Sequence, residues 1–221
     1  MKYVALTCVL VTLAIGVAFQ PEHAGTWYFW APLVLVYGAL SLVALFRMQQ
    51  VGSLAEKLMP RRGDVALGAV IAGLLILGTW IGRSTLAPVG TPSHGWLLRL
   101  YLQVGNPETL QRSVKYTALL LLIPICEELV WRGLVLGELK HALGPRKAWP
   151  LGALLYALCH IPTVFSLSDP VAGPNPLVLL AAVGAGLVWT FSANQFGRLA
   201  PVIISHMAFT YFSAAQFRMP F

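Results

Sequence analysis

The sequence contains few charged residues. Asp, Glu, Lys and Arg together make up 10% of its 221 residues, whereas hydrophobic residues make up 57%. A soluble domain carries about 25% charged residues, so this chain has too little polar surface to enclose a water-soluble core. The composition therefore excludes an ordinary soluble globule and predicts an all-α, polytopic helical membrane protein.

Acidic residues and cysteines are also scarce. The chain has 8 acidic and 15 basic residues, but the basic ones are scattered among short loops. Because no basic stripe with interleaved aromatic residues is present, we expect no nucleic-acid partner. The excess of Lys and Arg is instead typical of the loops that orient membrane proteins, and its distribution favours an N-terminus on the cytoplasmic side. The 3 cysteines lie in apolar runs, which excludes a disulfide framework and a CxxC metal site.

Long hydrophobic runs divide the chain into membrane spans. A spanning helix needs about 20 apolar residues, and the runs predict about seven or eight transmembrane helices in a single integral-membrane domain, 1–221. The first run is expected to be retained because no clear small-x-small cleavage site follows it. His94–Val104 is either an interfacial helix with aromatic anchors or an eighth span. The candidate spans are 3–19, 27–46, 65–82, 114–138, 148–165, 176–191 and 199–217.

Three charged residues interrupt the fourth apolar run, in the stretch PICEELVWRG. Each charge at the membrane centre costs about 2.5–3.5 kcal/mol on insertion scales. Glu128 and Arg132 are four residues apart, so they share a helix face and can pair. Glu127 lies about 100° around the helix and points elsewhere. The spacing therefore predicts one fixed carboxylate and one freer carboxylate, and the freer one is the kind of group that acts as a general base.

Two histidines, His160 and His206, lie inside apolar runs, whereas the other three lie in loops. Glu127 lies 12 residues before the predicted end of its helix, and His160 lies 12 residues after the predicted start of the next one. Because these two helix ends meet at one membrane face, both residues are expected about 18 Å from that face. The same count places His206 only about 10 Å from that face. Pro162 predicts that the helix carrying His160 ends nearby. A single such histidine is typical of a helix-to-helix hydrogen bond, but two beside a free glutamate indicate a site.

The motifs EELVWR, YALCH and HMAFT follow one another in the sequence. On these residues the chain resembles the CPBP (CAAX protease and bacteriocin-processing) intramembrane proteases, also called the Abi or type II CAAX prenyl endopeptidase group. The family motifs are EExxxR, FxxxH and HxxxN. Here Tyr156 replaces the phenylalanine and Thr210 replaces the usual asparagine. The resemblance, with its catalytic motifs, covers residues 113–212, and the first hundred residues match only in being hydrophobic.

The resemblance implies a catalytic arrangement on membrane helices. Glu127 would activate water, Arg132 would fix Glu128, and the histidines would bind the water or the oxyanion. No cofactor is expected, although Zn²⁺ held by Glu127, His160 and His206 is the alternative. The catalytic residues implied are Glu127, Glu128, Arg132, His160, His206 and Thr210, and the substrate-pocket residues are Tyr156 and Trp131.

The function implied is an intramembrane endopeptidase that hydrolyses a peptide bond in a membrane-inserted or lipid-linked substrate. It would trim a C-terminal sorting anchor or process a peptide. The expected partners are a membrane protein or peptide substrate and the lipid bilayer, and the short loops favour a bacterial inner membrane. The alternatives are a non-catalytic scaffold or immunity protein of the same fold, and a transporter whose buried glutamate relays protons. The sequence gives no oligomeric state.

Overall fold

The computed structural model describes residues 1–216, which form an all-helical bundle, as the composition predicts. Within that range the only β-type pairing is an isolated bridge between Asp169 and Gly173. The α-helices are α1 Lys2–Ala18, α2 Trp27–Gln50, α3 Leu54–Leu58, α4 Asp64–Leu86, α5 His94–Val104, α6 Pro107–Arg112, α7 Val114–Glu128, α8 Leu136–Leu143, α9 Pro145–Leu158, α10 Ile161–Ser166, α11 Leu177–Phe196 and α12 Ala200–Tyr211.

The described residues contain four helical segments that are long and apolar enough to cross a membrane. They are Trp27–Gln50, Asp64–Leu86, Pro145–Ser166 and Leu177–Phe196, and two shorter apolar helices cover Lys2–Ala18 and Ala200–Ala215. The protein is thus an integral membrane protein, whereas a count of seven or eight spans stays a prediction. The run predicted at 114–138 is one continuous helical path that reaches residue 143.

This helical path changes its winding directly after the two glutamates. Leu129–Val135 forms a π-helical stretch between α7 and α8. π-helical turns are rare and frequently lie at functional sites. Because such a turn disturbs the regular ladder of backbone hydrogen bonds, its carbonyls need other donors. Lys57 of α3 supplies one, since its Nζ donates to the Gly133 carbonyl over 3.1 Å.

The helix that precedes His160 ends where the proline predicts. α9 stops at Leu158, and α10 begins at Ile161. His160 lies in the turn between them, and its carbonyl accepts a hydrogen bond from Thr163 Oγ1 over 2.7 Å. His160 is therefore held at a break in the helical path, with its ring directed by local hydrogen bonds and not by a regular helix face.

Helices α4 and α12 pack side by side and run in the same direction. At their beginnings, Arg198 Nε donates to Asp64 Oδ1 over 3.0 Å. One turn later Gly68 lies against α12: a Cβ built on it would be 2.8 Å from Ile204 Cγ2 and 2.9 Å from the Pro201 carbonyl. Contacts this short show that the two backbones approach as closely as small residues allow, which is a common way of packing helices in membranes.

We expect Gly68→Ala to lower the thermal unfolding midpoint in detergent, because the added methyl group separates α4 from α12. Overpacking of this kind costs about 1–3 kcal/mol. Gly73→Ala is the matched control, since Gly73 lies on the same helix with no atom within 4 Å of a built Cβ. Equal midpoints for the two variants would contradict the close packing of α4 on α12.

The segment after α4 contains a helix that is hydrogen-bonded to a distant loop. α5 occupies His94–Val104, the segment expected to form an interfacial helix or an eighth span, and it buries Leu97 and Tyr101. Trp96 Nε1 donates to the Gly173 carbonyl over 3.1 Å, and Asn175 Nδ2 donates to the Trp96 carbonyl over 2.9 Å. These bonds fix α5 to the loop between α10 and α11. Whether α5 lies in the lipid interface stays a prediction.

Candidate active site

Glu128 and Arg132 form the ion pair that their spacing predicts. Arg132 Nη1 donates to Glu128 Oε1 over 3.0 Å, and both side chains are 0% exposed. Arg132 Nε also donates to Thr190 Oγ1 over 3.2 Å, and its guanidinium lies 4.6 Å from the centroid of the Tyr156 ring. Helix α11 can approach this closely because Gly186 faces Tyr156, where an added Cβ would lie 2.9 Å from the ring. The pair is thus enclosed by α9 and α11.

His206 contacts the fixed glutamate. Its Nδ1 lies 2.7 Å from Glu128 Oε1, and its ring stacks on Trp189 with centroids 3.8 Å apart. Because a carboxylate accepts, Nδ1 carries the hydrogen, and a neutral ring therefore has its lone pair on Nε2. The residue count, which places His206 about 8 Å nearer one membrane face than Glu127, stays a prediction. Helix α12 begins at Ala200, and the contact between His206 and Glu128 shows that the side chains meet.

Glu127 faces a different environment from Glu128. It lines a cavity of about 590 Å³ together with His160 and Thr210. The Tyr156 hydroxyl donates to Glu127 Oε2 over 3.2 Å. One hydrogen bond orients the carboxylate while leaving it at the cavity wall. The two adjacent glutamates therefore differ as the sequence predicts, with one enclosed in an ion pair and the other open to a cavity.

His160 has a defined orientation at the same cavity. Its Nδ1 lies 2.8 Å from the Tyr156 carbonyl, so Nδ1 carries the hydrogen and Nε2 of the neutral ring can accept one. The ring also lies 4.8 Å from the Tyr156 ring, centroid to centroid. Tyr156 therefore positions both Glu127 and His160, the first through its hydroxyl and the second through its backbone and ring.

The two residues predicted to line the substrate pocket, Trp131 and Tyr156, are absent from the described lining of the cavity and contact residues that belong to it. Trp131 is 2% exposed and meets Tyr156 edge to face at 5.4 Å. Its indole Nε1 donates to the Tyr37 hydroxyl over 3.5 Å, and Tyr37, not Trp131 or Tyr156, belongs to the described lining. Trp131, which lies in the π-helical stretch, therefore contacts the lining residue Tyr37 on α2.

Sequence reasoning missed the residues that complete the site from other helices. Tyr37 on α2 was unremarkable in an apolar run. Gly186 and Thr190 are four residues apart and therefore share one face of α11. Both accept hydrogen bonds from the Arg132 guanidinium, Gly186 with its carbonyl and Thr190 with its hydroxyl. Small residues at this spacing in a membrane helix signal a close helix contact. That signal was present in the sequence, but it does not identify the helix or side chain that α11 contacts.

Zn²⁺ held by Glu127, His160 and His206 is the alternative that the resemblance implies at this site. Among residues 1–216, no three His, Cys, Asp or Glu side chains are grouped as metal ligands. Glu127 and His160 line the cavity, whereas the Nδ1 atom of His206 donates a hydrogen bond to Glu128 Oε1. A catalytic zinc site takes three protein ligands and keeps one position for water.

Comparison with known proteins adds one match. The family model described as type II CAAX prenyl endopeptidase, Rce1-like, matches residues 109–212. No curated protein and no solved structure matches the chain. The matched segment contains all three motifs of the site, while α1 to α5 lie outside it. The segment 109–212 thus matches the model of a CPBP/CAAX protease family, the family that the three motifs resemble.

Proposed function

We propose that the protein is an intramembrane endopeptidase in which Glu127 activates water for attack on a peptide bond. The observation that carries the proposal is a carboxylate on the wall of an apolar cavity, within a family of proteases. Glu127 takes a proton from water as the hydroxide oxygen bonds to the carbonyl carbon. It then gives that proton to the amine nitrogen as the carbon–nitrogen bond breaks. This cycle regenerates the carboxylate.

The other motif residues have supporting roles in this proposal. His160 offers Nε2 to the water, and Thr210 offers a hydroxyl at the same cavity. A donor aimed at the developing oxyanion stabilises the transition state, and Thr210 would act there in place of asparagine. Glu128, Arg132 and His206 hold α7 and α12 together, because Glu128 Oε1 accepts from both basic residues.

The cavity indicates the kind of substrate. Its lining is almost entirely apolar and aromatic, with side chains from α1, α2, α4, α5, α7, α11 and α12. An apolar peptide segment packs favourably against such a wall, whereas a polar peptide would lose its hydration without gaining hydrogen bonds in return. We therefore propose a membrane-inserted or lipid-linked substrate, cleaved in a bacterial inner membrane by trimming of a C-terminal anchor or by processing of a peptide.

We further propose that the reaction needs no metal cofactor. The proposal is supported by Glu127 standing at the cavity as a general base, and by residues 1–216 holding no group of three His, Cys, Asp or Glu side chains placed as metal ligands. Activity should survive exhaustive chelation. Loss of cleavage on chelation, with recovery on addition of Zn²⁺, would overturn a metal-independent mechanism.

Thr210 favours a second candidate function. Threonine is shorter than asparagine and has a single hydroxyl donor. It therefore offers a weaker hydrogen bond to the oxyanion than the asparagine of the family motif. A non-catalytic scaffold or immunity protein of the same fold would tolerate this residue. Such a protein would bind a membrane peptide in the cavity and leave it intact.

The proposed function is tested by mass spectrometry of membrane proteins from cells with and without this chain. We expect at least one membrane protein or peptide to have a shifted terminus only when the chain is present. The new terminus should lie in or beside an apolar segment. Identical termini in the two samples would contradict the protease and favour the scaffold.

A further inference from the structure

Several helix ends that carry basic residues meet at one end of the bundle. Leu199 N, just before α12, donates to the Lys57 carbonyl of α3 over 2.8 Å. Arg47 near the end of α2 pairs with Glu138 of α8 at 3.1 Å. This end of the bundle is strongly positive, since three acidic residues, Glu56, Asp64 and Glu138, stand against Arg47, Lys57, Arg61, Arg62, Lys140, Arg146, Lys147 and Arg198.

A small pocket lies among these helix ends. Its volume is about 40 Å³, and two lysines line it, Lys57 of α3 and Lys140 of α8. Arg132 belongs to the same lining, and the described lining contains no carboxylate. Because one water needs about 10–15 Å³ of such space, the pocket has room for a few oxygen atoms. It is thus a cationic pocket of the size of a small oxyanion.

The two lysines are close enough to repel each other. Burial lowers the pKa of the Lys57 ammonium and the charge of Lys140 lowers it further, whereas the charge of Glu56 raises it. Lys57 Nζ donates to the Gly133 carbonyl over 3.1 Å. The Lys140 ammonium makes no hydrogen bond or ion pair within residues 1–216. An anion between the two ammonium groups would offset both their repulsion and their partial loss of hydration.

The chemistry of the pocket favours a phosphate group as that anion. An ammonium binds phosphate as a compact point charge, whereas the planar fork that matches a carboxylate belongs to arginine. Arg132, the arginine in the lining, already donates through Nη1 to Glu128. The Lys and Arg count also predicts that this end of the bundle faces the cytoplasm, where anionic lipid headgroups collect basic pockets between membrane helices.

We propose that Lys57 and Lys140 bind one phosphate group in this pocket, supplied by an anionic lipid headgroup or by free inorganic phosphate. Neither lysine belongs to the described lining of the cavity that contains Glu127, so this is a second site and it does not depend on the proposed protease function. It adjoins the candidate active site through Lys57, which bonds to the π-helical stretch, and through Arg132. A bound phosphate group therefore stabilises the fold around the ion pair.

Thermal unfolding in a neutral detergent measures this binding. A ligand that binds only the folded state raises the midpoint, so sodium phosphate should raise it above sodium chloride of equal ionic strength. Phosphatidylglycerol should likewise raise it above phosphatidylcholine at the same molar ratio. A rise with both probes supports a site for the phosphate group itself. A rise with the lipid alone identifies the headgroup as the ligand, and a rise with phosphate alone identifies the free ion. No rise with either probe overturns the proposal.

Lys140→Gln removes one cation without removing any hydrogen bond within residues 1–216. It should weaken binding of the effective probe by about 10- to 100-fold, the range for a hydrogen bond to a charged group. Lys147→Gln is the matched control, because Lys147 is exposed at the start of α9 and absent from the described lining. Equal affinities of the two variants would show a diffuse attraction to the positive surface and would overturn the proposal.

A second variant tests the pocket without changing any charge. Gly137 belongs to the lining, and a Cβ built on it would lie 3.5 Å from Lys57 Nζ. This distance is an ordinary contact, so Gly137→Ala fills part of the pocket without straining the helix. The variant should fold normally and bind the effective probe more weakly than the unaltered protein. Unchanged affinity in Gly137→Ala would mean that the phosphate group does not enter the pocket, and the proposal would be wrong.

Discussion

Replacing Glu127 with glutamine should abolish proteolysis while leaving the protein folded. Glutamine keeps the shape of the side chain and can still accept the hydrogen bond from Tyr156, but it cannot take a proton from water. Loss of a general base reduces rates by about 10²- to 10⁴-fold. The measurement is the rate of appearance of the shifted terminus, identified in cells by mass spectrometry, with the unfolding midpoint as a check on folding.

The control for this variant is Glu138→Gln on the same continuous helical path. Glu138 pairs with Arg47 at 3.1 Å and its side chain is 21% exposed, so it is a carboxylate outside the cavity. Its replacement should leave proteolysis unchanged. If Glu127→Gln cleaves as fast as the unaltered protein, Glu127 is not the base. If Glu127→Gln keeps a peptide-binding phenotype in a chain that never cleaves, the scaffold is the correct function.

Replacing Arg132 with methionine should cause the largest loss of stability of any single change at the site. The substitution leaves Glu128, which is 0% exposed, without its guanidinium partner. Breaking a buried ion pair by removing one member costs about 3–5 kcal/mol. The measurement is thermal unfolding in detergent, and the matched control is Arg47→Met. Its ion pair with Glu138 is partly exposed, and such a pair is worth about 0–1 kcal/mol.

A double-mutant cycle separates the charge effect from lost packing. Glu128→Gln combined with Arg132→Met removes both charges, so the double variant should be more stable than Arg132→Met alone. Residues in one ion-pair network show interaction energies of about 0.5–3 kcal/mol. Strict additivity of the two single changes would mean that Glu128 and Arg132 do not stabilise each other in the membrane.

The ion pair between Glu128 and Arg132 was predictable because it depends on helix geometry alone. A four-residue spacing brings Glu128 and Arg132 to one face of any helix, whatever surrounds it. The partner of His206 was not predictable in this way. It depends on how deeply α12 is set in the bundle, and its beginning is determined by contacts such as Leu199 N donating to the Lys57 carbonyl over 2.8 Å.

The helix packing was also hidden from the sequence for a physical reason. Membrane helices are apolar on nearly every side, so their hydrophobic periodicity does not show which face meets the protein and which meets lipid. This is why the sequence does not show that Tyr37 belongs to the cavity lining, whereas Trp131, which contacts Tyr37, is absent from the described lining. The break at His160 was predictable, since Pro162 limits the local backbone directly.

The residues that would do chemistry and those that enclose the cavity come from different parts of the chain. The three motifs lie within 109–212, whereas much of the enclosure comes from α1, α2, α4 and α5, which precede it. Selectivity can therefore diverge without disturbing hydrolysis. Grafting the first hundred residues of a family member with different specificity onto this motif-bearing half should transfer the choice of peptide, as long as the Gly68 contact between α4 and α12 is preserved.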